Sequence, residues 1–243
     1  MIIFYLCFLI PSIYAATDED LFQAIQNGDV EKTKQLIDNN ADANAQNQQG
    51  QTALIMAVIN GNTEIVKMLI NANADVNAKG LNDLTPLIVA AGNRRTEIVK
   101  MLIDSKANIN VYSRALHITA LMSAIMSHDS DIVKILIDAK ADVNVNTNGY
   151  LLSTALMCAA GEGQTEIVKV LITKKANVNA KDRNDFTALI IAAREGHTDI
   201  VKILIAANAD VNAKSTNGDT ALSLAKNTEI TDLLKKASAK ELR

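Results

Sequence analysis

The sequence predicts an all-α solenoid: short helix pairs stacked side by side around one continuous core. Three observations predict it. A cluster of similar residues recurs every 33 to 35 positions along the 243-residue chain, and a fixed period of that size is the mark of a repeat architecture. The apolar content is 49%, yet aromatics are only 3% and Trp is absent; an interior of Ala, Ile, Leu, Val and Met favours thin layers of closely spaced helices. Within each unit, apolar residues such as Ile200, Val201, Ile203, Leu204 and Ile205 follow the i, i+3, i+4 spacing of an amphipathic helix.

Three anchors define the repeat. Thr followed by Ala or Pro and then Leu occurs at Thr52, Thr85, Thr119, Thr154, Thr187 and Thr220, with separations of 33, 34, 35, 33 and 33. An acidic residue followed by Ile-Val-Lys begins at Glu64, Glu97, Asp131, Glu166 and Asp199, each 12 positions after its Thr. An Ala-Asp/Asn-Val/Ile-Asn segment closes each unit, at residues 74–77, 107–110, 141–144, 176–179 and 209–212.

Each anchor has a physical reason. A Thr hydroxyl before Ala-Leu accepts a backbone N–H of the first helical turn. Small residues, as in Thr187-Ala188-Leu189-Ile190-Ile191-Ala192-Ala193, let an inner helix approach its neighbours closely. The recurring acidic residue suits the positive end of an outer helix that starts near Thr198-Asp199. One helix pair cannot bury both of its faces, so neighbours stack and the ends need polar caps.

These residues resemble the ankyrin repeat, whose pattern runs Thr-Pro-Leu-His-x-Ala-Ala, Gly-His-x-Glu-Ile-Val and Gly-Ala-Asp-Val-Asn-Ala. The resemblance spans about residues 18 to 243 and implies that β-hairpin finger loops join successive helix pairs. It divides the chain into an N-terminal capping repeat (17–45), five repeats (46–78, 79–110, 111–144, 145–180 and 181–213) and a C-terminal capping repeat (214–243). The last is shortened, with Glu229 only 9 residues after Thr220. Departures from the pattern are specific. The family's His is replaced by Ile55, Ile88, Met122, Met157, Ile190 and Ser223, so apolar contact takes the place of polar bridging. The glycine of the inter-helix turn is kept at Gly61, Gly163 and Gly196 but is Arg94 and His128 in two repeats. Where the family ends its outer helix on Gly, this chain has Asn40, Asn73, Lys106, Lys140, Lys175 and Asn208.

The N-terminus reads differently. Met1 to Ile10 is apolar, followed by Pro11-Ser12 and the small residues Ala15 and Ala16. That is the layout of a secretory signal peptide (1–16), cut after Ala15 or Ala16, although no Lys or Arg precedes it. A membrane anchor is the alternative, but spanning a bilayer takes roughly 20 apolar residues. The expected location is therefore secreted or periplasmic, with a cytoplasmic or membrane-tethered adaptor as the alternative. Removal of Cys7 with the leader strands Cys158, which leaves no partner for an intramolecular disulfide and makes Cys158 a small buried hydrophobe.

The residues point away from chemistry. With 24 basic against 27 acidic side chains, there is no electrostatic footprint for nucleic acid or an anionic membrane. His117, His128 and His197 fall in different repeats without a second ligand at a usable spacing, so no metal, cofactor or catalytic group is expected. An enzyme or metalloprotein with an unrecognised site is the rival reading. The row Lys67, Lys100, Lys134, Lys169 and Lys202 reads as a solvated helix face, with a phosphate-binding row as the alternative.

The resemblance implies a non-enzymatic, monomeric scaffold that binds a protein partner through its fingers and the concave side of the inner helices. The finger residues are unusually apolar: Leu81 and Leu84, then Tyr112, Leu116, His117 and Ile118, then Tyr150, Leu151 and Leu152, then Phe186. Two fingers are also longer, with 9 residues from Asn110 to Thr119 and 10 from Asn144 to Thr154, against 8 from Asn77 to Thr85. Loops carry function preferentially, and clustered apolar groups on them mark an interaction patch. The alternative is that the longer fingers fold back and bury these groups themselves.

Overall fold

The computed structural model describes residues 18–149 and 152–241. The N-terminal apolar run, and with it the signal-peptide expectation, lies outside the described residues, as do Tyr150 and Leu151. Among the described residues there are thirteen α-helices. Six antiparallel pairs come first: α1 (Asp18–Gln26) with α2 (Val30–Asp38), α3 (Ala53–Asn60) with α4 (Thr63–Asn71), and α5 (Pro86–Gly92) with α6 (Thr96–Asp104). Then follow α7 (Ala120–Met126) with α8 (Ser130–Asp138), α9 (Ala155–Gly161) with α10 (Thr165–Thr173), and α11 (Ala188–Glu195) with α12 (Thr198–Ala206). The chain closes with α13 (Thr228–Glu241). No described helix is long and apolar enough to cross a membrane.

The odd-numbered helices from α1 to α11 form an inner layer and the even-numbered ones an outer layer. The expected caps are in place. Thr52, Thr85, Thr119, Thr154 and Thr187 each accept the N–H three residues on, at 3.1–3.4 Å. Burial follows the two predicted patterns. Inner helices are buried nearly all round, as Ala188 to Ala193 show, whereas α12 buries only the stripe Ile200, Val201 and Leu204. The inner layer is closely spaced: a Cβ on Gly92 of α5 would lie 2.8 Å from Ser123 Oγ of α7. Cys158 sits fully buried in α9, and burial pushes its thiol up to about 12.

The inner helices end abruptly, and the next unit satisfies their last carbonyls. Arg95 Nη2 donates to Ile59 O at 3.2 Å, Gln164 Nε2 to Ile125 O at 2.5 Å and His197 Nε2 to Gly161 O at 3.0 Å. These bonds serve groups that a helix cannot pair internally and fix the register between repeats. The turns between helices are left-handed, with φ of 72° at Gly61 and 70° at Gly163. Arg94 and His128 adopt the same conformation, at 58° and 57°, despite carrying a Cβ. Each reaches across to the next unit: Arg94 Nε lies 3.7 Å from Asp129 and His128 Nε2 3.1 Å from Glu162.

In the last unit, Thr220 caps Ser223 at 3.1 Å, but only a turn follows where an inner helix would stand. Its outer helix α13 is the longest among the described residues, at 14 residues, and covers the end of the stack through Ile230 and Leu234, both fully buried.

Candidate functional site

The fingers are built on one local plan. The first residue of each turn donates its N–H across the loop: Asn47 to Gln51 O, Gly80 to Leu84 O, Thr147 to Ser153 O, Asp182 to Phe186 O and Ser215 to Asp219 O, at 2.8–3.0 Å. One finger forms a true hairpin, with β1 (Tyr112–Ser113) antiparallel to β2 (Ile118–Thr119). The finger at 46–52 adds a single antiparallel bridge, Gln46 to Thr52, and those at 80–84, 182–186 and 215–219 are tight turns.

Neighbouring fingers are hydrogen-bonded to each other. Ser113 Oγ donates to Asn82 O at 2.6 Å, and Thr147 Oγ1 donates to His117 O at 2.7 Å while His117 Nδ1 donates back to Thr147 O at 2.8 Å. Arg183 N donates to Gly149 O at 3.1 Å, and Thr216 N to Asn184 O at 2.9 Å. The fingers therefore form a tied row, in which His117 has a structural role.

That row sorts the finger residues singled out from sequence. Leu81, 52% exposed, and Leu116, 45% exposed, stand in solvent. Leu84, Ile118 and Phe186 are half-buried against the core, and Tyr112 is half-buried beside them. Leu152 folds inward: it lies within 3.2 Å of where a Cβ on Gly161 would stand. The long fourth finger thus covers part of α9, which is the fold-back alternative realised at that point. The Arg194 guanidinium lies 5.3 Å from the centre of the Phe186 ring and adds a cation–π contact to the packing.

Two exposed apolar residues escaped the sequence reading, Ile59 at 38% and Met126 at 45%. Both lie in the last turn of an inner helix, and both lie 7 positions after their capping Thr. That shared register was the available signal. Among the described residues the large exposed apolar side chains are Ile59, Leu81, Leu116, Met126 and Leu222. All belong to fingers or to inner-layer positions, and none to an outer helix.

The outer layer differs in kind. Three of its five recurring lysines pair with the acidic residues that start the helices: Lys134 with Asp131 at 3.6 Å, Lys169 with Glu166 at 2.6 Å, and Lys202 with Asp199 at 3.6 Å and Glu229 at 2.8 Å. Alternating charges of this kind make a solvated face and leave no uniform basic row for phosphate. No group of three or more His, Cys, Asp or Glu among the described residues could hold a metal ion.

Comparison with known proteins agrees with this architecture. The family model for ankyrin repeats in three copies matches residues 21–113, 113–182 and 156–241. The human ASB11 ankyrin repeat domain superposes with a TM-score of 0.76 at 23% identity, covering 89% of this chain and 96% of that one. The ankyrin repeat domain of Bcl-3, described as a unique member of the IkappaB protein family, gives 0.76 at 25% identity, covering 89% and 97%. No curated protein matches the chain in sequence. With family matches running from residue 21 to residue 241, this chain belongs to the ankyrin-repeat family.

Proposed function

We propose that the chain is a non-enzymatic scaffold that holds a protein partner against its fingers and the concave inner-helix face. Ankyrin repeats are generally protein–protein interaction modules, and the observation that supports this reading here is the one-sided exposure of large apolar side chains. Leu81 and Leu116 project from the fingers, Ile59 and Met126 from the inner helices, while the outer helices carry paired charges. Apolar groups exposed on one side of the solenoid suit a partner that covers them. Export from the cytoplasm is part of the proposal on the strength of the N-terminal sequence; the intact mass of native material separates a chain starting at Ala16 or Thr17 from one that keeps Met1.

The scaffold reading is tested by affinity capture from the native cells, with the chain and its Leu81→Asp/Leu116→Asp variant side by side. Both substitutions are at solvent-facing positions, so circular dichroism and the unfolding midpoint stay nearly unchanged. The expected result is a partner retained by the parent chain and lost by the variant. A partner held equally by both would move the contact to another face.

A further inference from the structure

We propose that Asn148 is a site of spontaneous modification, at which the Gly149 backbone nitrogen closes on the Asn148 side chain and converts it to aspartate and isoaspartate. The proposal concerns the fourth finger itself and stands whether or not that finger touches a partner.

An Asn followed by Gly is the pair at which this ring closure is least hindered, because glycine has no Cβ to obstruct the approach of its own nitrogen. The chain has four such pairs: Asn27-Gly28, Asn60-Gly61, Asn148-Gly149 and Asn217-Gly218. The fold treats them differently. Gly28 N donates to Ile25 O, Gly61 N to Val58 O and Gly218 N to Ser215 O, at 2.9–3.0 Å. Two of the Asn side chains are held as well: Asn27 Oδ1 accepts from Gln23 Nε2 at 3.1 Å, and Asn60 Nδ2 donates to Ile25 O at 3.0 Å.

At Asn148-Gly149 both reacting groups are free. Among the described residues, neither the Asn148 side-chain amide nor the Gly149 N–H has a hydrogen-bond partner. The bonds at this pair are made by the other groups: Asn148 N donates to Asn146 Oδ1 at 2.9 Å, and Gly149 O accepts from Ser153 Oγ at 2.8 Å. Asn148 is exposed to water, whereas Gly149 is buried. A buried N–H without a partner is unfavourable, and the imide nitrogen formed on ring closure no longer carries that proton.

The reaction needs water alone. The Gly149 nitrogen loses its proton and bonds to Cγ of Asn148, the Cγ–Nδ2 bond breaks, and the departing amide nitrogen takes up a proton and leaves as ammonia. Water then opens the succinimide ring. Attack at Cγ restores the ordinary main chain and leaves aspartate; attack at the main-chain carbonyl carbon leaves isoaspartate, in which the chain runs through Cβ and Cγ.

The position gives the second product a structural effect. Asn148 is the residue between two ties: Thr147 Oγ1 donates to His117 O of the third finger at 2.7 Å, and Gly149 O accepts from Arg183 N of the fifth at 3.1 Å. Isoaspartate lengthens the main chain between them by a carbon, so the two ties cannot both keep their register. Aspartate adds only a charge at an exposed position.

The test is incubation of the folded full chain in mildly alkaline buffer, with proteolytic peptides followed by mass spectrometry and isoaspartate measured by enzymatic methylation. Asn148 is expected to react at least about tenfold faster than Asn27, Asn60 or Asn217, whose glycine N–H bonds must first open. In urea, where that protection is gone, the four rates are expected to agree within about threefold. A folded-state rate at Asn148 no greater than at the other three, or no reaction there while the unfolded chain reacts, would overturn the proposal. So would product at Asn148 that contained aspartate without isoaspartate, since direct hydrolysis would then be the route. For the effect on the ties, Asn148→Asp is expected to share the parent's urea midpoint and the purified isoaspartate form to fall below it. Equal midpoints for the two forms would overturn that effect.

Discussion

Asn144 clamps the following repeat from both sides of one amide: its Oδ1 accepts the backbone N–H of Asn177 at 2.7 Å, and its Nδ2 donates to the carbonyl of Lys175 at 3.1 Å. Asn44 and Asn179 repeat the arrangement, on Asp75 and Asn73 and on Asp210 and Asn208, while Asn77 and Asn110 supply the acceptor half to Asn108 and Asp142. The closing Asn at these five positions is thus an inter-repeat coupling. Asn144→Ala removes two bonds and should lower the unfolding free energy by about 1–2 kcal/mol. Because stability in a solenoid is a sum of repeat and interface terms, the urea transition should also broaden as the two halves uncouple. An unchanged midpoint and slope would show that water replaces the clamp without loss.

Lys175, whose carbonyl that clamp holds, is itself left-handed, with φ of 67°; Lys106 and Lys140 match it at 67° and 69°. A residue with a Cβ in this conformation costs roughly 1–2 kcal/mol, partly offset by the extra freedom glycine gives the unfolded chain. Replacing all three lysines with Gly is expected to raise the unfolding free energy by about 1–3 kcal/mol in total. A lower urea midpoint for the triple variant would contradict this account.

What the sequence makes legible is what acts over a few residues. The Thr caps bind three positions on, and the left-handed ends at Lys106, Lys140 and Lys175 follow from where the outer helix must stop, so both are readable from spacing. The bonds from His117 to Thr147 and from Ser113 to Asn82 cross 30 and 31 positions and depend on how one finger is staggered against the next. No local pattern encodes that stagger. For the same reason Leu84 and Phe186 look like exposed finger residues in sequence, although the tied row presses them onto the core. Ile59 and Met126 hid in the opposite way: an apolar residue in an apolar helix reads as interior until the neighbouring position is seen to be Gly92.

Asp182 is the ionisable member of a series that elsewhere uses neutral acceptors, including Asn47 and Ser215, to hold the finger turn. Its Oδ1 accepts the N–H groups of Asn184 and Phe186, both at 2.8 Å, but its Oδ2 is buried without a partner and the residue is only 5% exposed. Burial raises its pKa above the ordinary carboxylate value, against the opposing effect of those N–H groups. A raised value means that the folded state holds the proton more tightly than the unfolded state. The associated stability is therefore present in acid and lost as pH rises through the folded-state pKa. Asp182→Asn removes the charge, so its stability relative to the parent should increase as pH rises from about 4 to 7. Urea midpoints at several pH values check this, and a gap that narrows over that range would reverse the sign of the assignment.

Phe186 and Leu116 were singled out in the sequence for the same reason, but the structure gives them different surroundings and hence different expected phenotypes. The Phe186 ring packs against the core beneath the Arg194 guanidinium, and truncating a partly buried ring removes both contacts. Phe186→Ala is expected to cost about 1–3 kcal/mol of stability, below the roughly 3–5 kcal/mol of a fully buried ring. Any effect on partner binding should then follow the loss of folded protein. Leu116 stands on the tip of the hairpin with nearly half its surface in solvent, so Leu116→Ala should shift stability by no more than about 0.5 kcal/mol while weakening partner binding by about 1 kcal/mol or more. Denaturation curves and titrations normalised to folded protein separate the two. If Phe186→Ala left the midpoint untouched and abolished binding, the ring would belong to the contact surface after all, and the partner would have to displace Arg194 to reach it.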